Sequence, residues 1–223
     1  MLRKSLVSFG LVSRRTYHQP ECGLAVALDL LGERWTLLIV RELLMGPQRY
    51  SDLHDALDGI STNLLAERLK HLETVGIAER GVLPPPAASV VYRLTPSGRQ
   101  LEPVVIELAR WGHQFTSPGE SFDPRRTVFT MKANFHAAPA ESSGPVHLHV
   151  DGHTLGVMIS HGELLAQPYP METAAASVTL CAETLRGLMC GAMSIASAIE
   201  QGRAAIRGDV DAATTVVTAI VHV

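Results

Sequence analysis

Residues 59–76, GISTNLLAERLKHLETVG, decide the fold. Three leucines in this stretch recur at i, i+4 and i+7, a spacing that places them on one face of an α-helix. They are Leu65, Leu69 and Leu72. Ser61 is suited to accept a backbone N–H at the start of this helix, and Gly76 is suited to end it. The sequence therefore predicts an amphipathic helix over 61–75.

The opposite face of the predicted helix is small, polar and partly basic. At 100° per residue it carries Asn63, Ala66, Glu67, Lys70 and Thr74, with Arg68 and His71 on its flanks. Such a face suits a helix whose first turns enter a DNA major groove. It equally suits an ordinary surface helix with a solvated polar side. The neighbouring elements decide between these two interpretations.

Three further helices are predicted before this one. They are a short apolar helix from Cys22 to Leu31 that stops at Gly32, a second from Glu33 that ends at Gly46-Pro47, and a short third from Tyr50 to Leu57. Asp58-Gly59 then turns the chain into the helix over 61–75. Two short helices joined by a tight, glycine-containing turn form a helix-turn-helix pattern.

The chain after Gly76 reads as a β-hairpin. Its predicted strands are Ile77–Arg80 and Val90–Leu94, and three prolines stiffen the loop between them. Helix-turn-helix followed by a hairpin is a winged helix. Thr95-Pro96 then starts a last helix, whose apolar residues extend to Trp111 over a face wide enough to pack against a partner subunit.

Four motifs in this order carry a family resemblance. They are CGLAVALDLLGERW from Cys22, TLLIVRELLMGPQRYSDL from Thr36, ISTNLLAERLKHLETVGI from Ile60 and VYRLTPSGRQLEPVV from Val91. Together they resemble the HxlR family of MarR-like winged-helix transcriptional regulators. The resemblance implies a homodimer on a palindromic operator in double-stranded DNA, with the helix over 61–75 in the major groove. It places near the DNA Arg49, Ser61, Thr62, Asn63, Arg68 and Lys70, with Arg80 and Arg93 as candidates for phosphate contacts from the wing.

Cys22 falls where some members of this family have a redox- or electrophile-sensing cysteine. A helix N-terminus lowers a thiol pKa, but no Lys or Arg adjoins Cys22 in the sequence and Glu21 opposes ionisation. A buried structural thiol at a dimer contact is the other interpretation. Sequence alone leaves both open.

Charge and cysteine content limit the function classes. Residues 1–117 contain 13 Lys and Arg against 12 Asp and Glu, whereas residues 118–223 contain 6 against 10. DNA affinity must therefore come from local placement of charge rather than from a general basic field. Three cysteines without CxxC spacing argue against a disulfide framework or a zinc site. The same cysteine content fits a reducing cytoplasm, where we expect the protein. No apolar run reaches the ~20 residues that a membrane span requires, so we expect no membrane segment.

The chain is predicted to be α+β with two domains. The expected organisation is a flexible basic arm at 1–16, a winged helix at 17–116, a linker at 117–122, and a second α+β domain at 123–223 with an antiparallel sheet. Predicted strands in the second domain are 126–136, 146–151, 154–159, 177–181 and 204–207. Predicted helices are 183–190, 195–200 and one from about 211.

The run SVTLCAETLRGLMCGAMSIASAIEQGRAAIRGDVDAA from Ser177 is similar to the C-terminal half of sterol carrier protein type 2-like domains. Such domains hold an apolar tunnel for lipids or other hydrophobic ligands, and some HxlR-like regulators carry one. The resemblance implies a hydrophobic effector. Candidate lining residues are Leu185, Leu188, Met189, Met193, Ile195 and Ile199, each of which would equally serve to fill a core.

Two other site types receive little support. His147, His149, Asp151 and His153 alternate along one strand face, but Asp151-Gly152 favours a turn and the four then form the solvent side. No metal or cofactor is expected. No nucleophile elbow or phosphate loop occurs, so we expect no enzyme. The alternatives to an effector-controlled regulator are a regulator that senses through Cys22 with a structural second domain, and a lipid carrier.

Overall fold

The chain forms helices, then a two-stranded wing and then a mixed sheet in a computed structural model. The structure describes residues 17, 19–84, 86, 88–113, 115, 122–135 and 142–221. The chain divides into two units, Met1–Val105 and Ile106–Val223, called here the first and second unit. The predicted arm at 1–16 lies outside the described residues, as does the predicted linker except for Phe122. No helix among the described residues is long and apolar enough to cross a membrane.

The elements from Gly23 to His113 follow the predicted order. They are α1 (Gly23–Leu31), α2 (Thr36–Leu44), α3 (Tyr50–Ala56), α4 (Thr62–Thr74), β1 (Ala78–Val82), β2 (Val90–Leu94), α5 (Pro96–Arg99) and α6 (Glu102–His113). One difference concerns the last predicted helix, which is two helices, α5 and α6. Pro103 has no N–H to bond the carbonyl of Arg99, so the helix is interrupted there.

The predicted amphipathic helix is α4, and its leucine face forms the core of the first unit. Leu65, Leu69 and Leu72 are almost completely buried. The Ser61 hydroxyl accepts a hydrogen bond from the Leu64 N–H at 3.3 Å, which caps the helix as expected. Gly76 follows the C-cap with φ +71°, the left-handed conformation that glycine adopts without strain.

The wing is the antiparallel pair β1–β2, in which Glu79 lies opposite Arg93 and Val82 lies opposite Val90. Gln48 joins this pair from the α2–α3 connection. Its N–H donates to the carbonyl of Tyr92 at 2.9 Å, and its carbonyl accepts from the Tyr92 N–H at 2.7 Å. The wing is therefore fixed to the helices at its base.

The second unit continues from α6 with α7 (Pro124–Asn134) and a five-stranded sheet. Its strands are β3 (Val146–Val150), β4 (His153–Ser160), β5 (Glu163–Gln167), β6 (Ala176–Leu180) and β7 (Ala204–Gly208), and its later helices are α8 (Ala182–Met189), α9 (Ile195–Glu200) and α10 (Val210–Ala219). The spatial order is β5-β4-β3-β6-β7. The sheet is not wholly antiparallel as expected, because β3 and β6 pair in parallel.

The predicted strand at 126–136 is wrong, because α7 occupies this stretch. Asp123 caps the helix through Oδ1, which accepts from the N–H groups of Arg125 and Arg126 at 2.9 and 3.1 Å. Pro124 at the first helical position presets the helical backbone. Val128 and Met131, three residues apart, are fully buried. Alternating polar and apolar residues therefore predicted a strand in a stretch whose capping residues indicate a helix.

The predicted apolar face of β3 is confirmed, whereas its histidine face is less exposed than expected. Val146, Leu148 and Val150 are fully buried on one face of the sheet. His147 and His149 lie on the opposite face and are half-buried.

Candidate nucleic-acid interface

The exposed side of α4 carries the polar residues that the sequence predicted there. Thr62 and Asn63 are exposed in the first turn, and Lys70 is exposed two turns later. Residues 63 and 70 are seven positions apart and therefore share a face, about 10 Å along the axis from one another. Ala66 and Glu67 are exposed between them. This helix thus presents an exposed face with an amide at one end and an ammonium at the other.

The start of α4 is held in place by α3. The phenol of Tyr50 donates to the carbonyl of Thr62 at 2.6 Å, which joins the first residue of one helix to the first residue of the other. Arg49 precedes Tyr50 as the N-cap of α3 and is exposed. Its own N–H donates to Oδ2 of Asp52 at 3.1 Å. Arg49 was expected at this site from the sequence but Tyr50 was not, because its role depends on a contact between helices that no spacing rule reports.

Arg68 has different surroundings from Lys70. Its side chain is only 12% exposed, and Nη2 lies 3.1 Å from Oε2 of Glu33. Nη1 donates to Oε1 of Glu67 at 2.9 Å, and Nε donates to the carbonyl of Arg34 at 3.2 Å. The guanidinium is therefore engaged with the turn between α1 and α2 rather than presented to solvent.

His71 also faces that turn. Its Nε2 lies 2.8 Å from the carbonyl oxygen of Leu30, in the last turn of α1, so the imidazole donates this hydrogen bond. From the sequence, His71 was expected on a flank of α4 and had no predicted role. Its position three residues after Arg68 was the available signal, because such neighbours lie on one side of a helix.

Both candidate arginines of the wing are paired with glutamates. Nε of Arg80 lies 3.2 Å from Oε1 of Glu73, and Nε of Arg93 lies 2.8 Å from Oε1 of Glu79. The two arginine side chains are 62% and 52% exposed, respectively, so the pairs are surface pairs. Such pairs contribute little and exchange readily with water or another anion. The guanidinium of Arg80 also lies over the ring of Tyr92, 5.1 Å from its centroid.

Cys22 is the N-cap of α1, and its residue is exposed, as are Cys181 and Cys190. The thiol of Cys22 caps no backbone N–H. Within a single chain the cysteine is therefore open to solvent. Both interpretations of Cys22 stay predictions, because the structural one buries the thiol only at a dimer contact.

The candidate ligand-lining residues of the second unit divide into two groups. Leu185, Leu188, Met189 and Ile195 are buried on α8 and α9. Met193 is half-buried beside Gly187, where an added methyl group would lie 3.5 Å from its Cε. Ile199 instead lies at the surface with 42% exposure, which is not the interior position expected of a cavity residue.

The histidines of β3 make separate contacts. Nε2 of His147 lies 3.1 Å from the carbonyl of Met171, and Nδ1 of His149 lies 3.0 Å from Oγ1 of Thr154. Asp151 accepts from the N–H of Ala182 at 3.0 Å through Oδ2. Within the part of the chain that the structure describes, no group of three His, Cys, Asp or Glu side chains could hold a metal ion.

Known proteins resemble the N-terminal part of the chain. Residues 30–120 match the HxlR-like helix-turn-helix family. The HTH-type transcriptional regulator YodB of Bacillus subtilis (strain 168) is 43% identical over 95 residues, which are 43% of this chain and 85% of that protein. The regulator YvaP of the same organism is 40% identical over 92 residues, 41% of this chain and 85% of YvaP. The solved reduced form of YodB covers 44% of this chain and 98% of its own, with 42% identity and a TM-score of 0.38.

The chain covers 85% of the length of both YodB and YvaP, and the family match at residues 30–120 includes the whole of α4 and the wing. The chain belongs to the HxlR-like helix-turn-helix family of transcriptional regulators.

Proposed function

We propose that the protein is a homodimer that binds operator DNA sequence-specifically, with α4 in the major groove. The observation that carries this proposal is the exposed polar face of α4, which contains Thr62, Asn63 and Lys70. The opposite face of the helix is buried through its leucines. A helix of this kind reads base edges with the residues of its first turns.

Each polar residue has a role that suits its chemistry. The amide of Asn63 is suited to pair with an adenine edge through a donor and an acceptor together, which distinguishes one base pair from the others. Lys70 and Arg49 carry charges suited to phosphates, which hold the helix in register but carry no sequence information. Ser61 and Thr62 present hydroxyl groups at the same end of α4. Arg80 and Arg93 would reach phosphates from the wing by exchanging their glutamate partners.

The homodimer is supported by exposed apolar side chains on α1 and, separately, on α6. Leu24 and Leu28 of α1 are 69% and 42% exposed, at i and i+4. Val104, Leu108 and Trp111 form a stripe at i, i+4 and i+7 on α6, with Trp111 64% exposed. Apolar stripes of this size on a surface mark interaction sites. Leu24→Glu should lower the mass measured by light scattering from that of a dimer, whereas a monomeric wild type would contradict this part of the proposal.

The DNA-binding proposal is tested by selecting sites from random duplex DNA with the full chain. We expect one enriched palindrome with half-site centres about 34 Å apart, the spacing that places two recognition helices on one side of the duplex. Lys70→Ala should then weaken binding to all sequences and lower the salt dependence. Absence of any enriched site would contradict the proposal and favour the lipid-carrier interpretation.

We further propose that a hydrophobic small molecule binds in the second unit and shifts DNA affinity. Buried Leu185, Leu188 and Met189 on α8, with the adaptable side chain of Met193 beside them, support an apolar site there. An effector must bind the two states of DNA competence differently, by typically 1–3 kcal/mol.

A fluorescent fatty acid tests the effector proposal on the full chain. We expect saturable binding that raises the melting temperature, because a ligand that binds only the folded state stabilises it. Met193→Trp should weaken this binding, whereas Ile199→Ser at the surface should not. Equal binding by all three proteins would contradict a site on α8.

Sensing through Cys22 is the second candidate, favoured by its exposure at the N-terminus of α1. Treatment with an electrophile such as N-ethylmaleimide should then change operator affinity in the wild type but not in Cys22→Ser. An equal change in both proteins would exclude Cys22 as the sensor.

A further inference from the structure

We infer that Arg68 and His71 are positioning residues that fix the recognition helix α4 to the end of α1, and that Arg68 does not contact DNA. This inference rests on the proposed DNA-binding function and specifies which polar residues of α4 read the DNA and which hold the helix.

The first step concerns the hydrogen-bonding needs of α1. The last four carbonyl groups of a helix lack partners within it. Leu30 is one of these residues, and its carbonyl accepts the Nε2–H of His71 at 2.8 Å. The imidazole thus supplies a partner for one terminal carbonyl of a different helix. If Nε2 turned to a base or a phosphate, the Leu30 carbonyl would lose this partner.

The second step concerns Arg68, which makes two contacts to the turn between α1 and α2 and one contact within α4. Nε and Nη2 both reach the α1–α2 turn, at the Arg34 carbonyl and the Glu33 carboxylate. Nη1 is bonded to Glu67 on α4 itself. Two carboxylates therefore neutralise the guanidinium, and the side chain is 12% exposed. Arg68 is thus both paired and largely buried, unlike the exposed arginines of the wing, and a largely buried guanidinium does not reach a phosphate. Lys70, by contrast, is exposed on the same helix.

The third step concerns the turn that Arg68 holds. Trp35 has φ +78°, a left-handed conformation that is unfavourable for a residue with a side chain. Strained residues persist where their surroundings over-determine them. Here the Arg68 bond to the preceding carbonyl and the stacking of Arg34 over the Trp35 ring, 5.2 Å from its centroid, provide that constraint. The turn and the recognition helix are thus joined through Arg68 and His71, and we expect the angle of α4 to follow α1.

The test compares Arg68→Met with Lys70→Met, which removes the same charge two positions away on the same helix. For each protein the affinities for the selected site and for unrelated DNA are measured over a range of salt, at a temperature where circular dichroism shows a folded chain. For Arg68→Met we expect the affinity for the selected site to fall about tenfold. The hydrogen bonds of Arg68 would no longer hold α4 in its binding position, and the loss of about one charged hydrogen bond corresponds to a tenfold change. The slope of log affinity against log salt should not change, because no phosphate contact is lost.

Lys70→Met should give the opposite pattern. Both affinities should fall together, and the slope of log affinity against log salt should lose about one unit. Arg68→Lys keeps the charge but not the planar fork, so it should resemble Arg68→Met. His71→Gln retains an N–H donor and should bind the selected site better than His71→Leu.

Glu33→Gln separates positioning from charge. Removal of a negative charge near DNA should strengthen binding if only electrostatics matter. If Glu33 acts by positioning, Glu33→Gln should weaken binding to the selected site. The double variant of Glu33→Gln and Arg68→Met should then bind this site as tightly as Arg68→Met alone.

Three outcomes would overturn the inference. Arg68→Met that behaves like Lys70→Met would make Arg68 a phosphate contact, and a lower melting temperature with unchanged site preference would make its role structural only. A wild type without any preferred site would overturn the proposed function itself, and the inference with it.

Discussion

Glu79 and Arg93 lie directly opposite each other in the wing, with Oε1 of the first 2.8 Å from Nε of the second. The carboxylate competes with any DNA phosphate for this guanidinium. Glu79→Gln should therefore tighten binding to all DNA, by a few-fold at low salt, because an exposed pair of this kind contributes at most about 1 kcal/mol. Fluorescence anisotropy with labelled duplexes measures the change.

The matched control for the wing is Glu107→Gln, which removes a carboxylate paired with Arg110 on α6. If Arg93 meets phosphate, Glu79→Gln steepens the salt dependence and Glu107→Gln does not. Equal changes in both variants would attribute the effect to net charge and exclude a role for Arg93.

The N-terminal cap of α4 predicts a second outcome. Ser61→Ala removes the oxygen that accepts the Leu64 N–H and should lower the free energy of unfolding by about 1 kcal/mol. Thr62→Ala removes a hydroxyl from the next, exposed residue and should change it by less than about 0.5 kcal/mol. Urea titration followed by circular dichroism compares the two. Equal losses would mean that the cap contributes nothing specific.

A close backbone approach at Gly98 predicts a third outcome. A methyl group added there would lie 2.1 Å from the carbonyl oxygen of Ile77, so the chain must shift. Gly98→Ala should destabilise the protein by about 1–3 kcal/mol, as overpacking does. Gly23→Ala, where an added methyl group meets no atom within 4 Å, serves as the control and should be neutral or mildly stabilising. A thermal melt in which both variants match the wild type would contradict the packing at Gly98.

Cys181 predicts a pH dependence. The side chain of Thr184, whose Oγ1 lies 3.2 Å from the Cys181 sulfur, is the main cause of a lowered thiol pKa, and backbone hydrogen bonds from Thr184 and Glu183 add to it. Burial and the charge of Asp151 oppose this shift. Thr184→Val should therefore raise the pKa, so that alkylation of Cys181 by iodoacetamide requires a higher pH.

The lowered pKa of Cys181 also makes the stability of the fold depend on pH. A thiol whose pKa is lower in the folded than in the unfolded chain stabilises the fold above its ordinary pKa, and this stabilisation is lost as the pH falls through the lowered value. Peptide mass spectrometry of alkylated protein against pH measures the midpoint. An unchanged midpoint in Thr184→Val would show that the hydroxyl does not stabilise the thiolate.

The sequence was informative about the first unit because local signals agreed there. The i, i+4, i+7 leucines, the Ser61 cap and the Gly76 stop all describe one helix, and each is determined by residues within one or two turns. The break between α5 and α6 was missed although Pro103 signalled it. Apolar periodicity on both sides of the proline outweighed the missing N–H.

The second unit was harder to predict because its topology depends on distant pairings. The strand β6 lies parallel to β3 although 25 residues separate their ends, and no local pattern indicates this order. The strand predicted at 126–136 rested on alternating polar and apolar residues. The helix-capping signal of Asp123-Pro124 was the better guide there, since α7 begins at Pro124. The strand β5 was not predicted at all, since ELLAQ contains only one buried leucine, Leu164.

The candidate site was predictable in position but not in the state of its side chains. Exposure of Thr62, Asn63 and Lys70 follows from helical geometry alone. The engagement of Arg68 does not, because Glu33 lies 35 residues away in the sequence. The partners of the wing arginines were likewise hidden, since cross-strand neighbours are known only when the register is known.

The most direct measurement is the sequence preference of the wild type and of Asn63→Ala, obtained by selection from the same random duplex library. The account predicts that the wild type enriches a palindrome, and that the variant loses discrimination at one symmetric base pair of each half-site, by about 1–3 kcal/mol, while preferences elsewhere persist. An identical preference in both proteins would contradict the placement of α4 in the major groove.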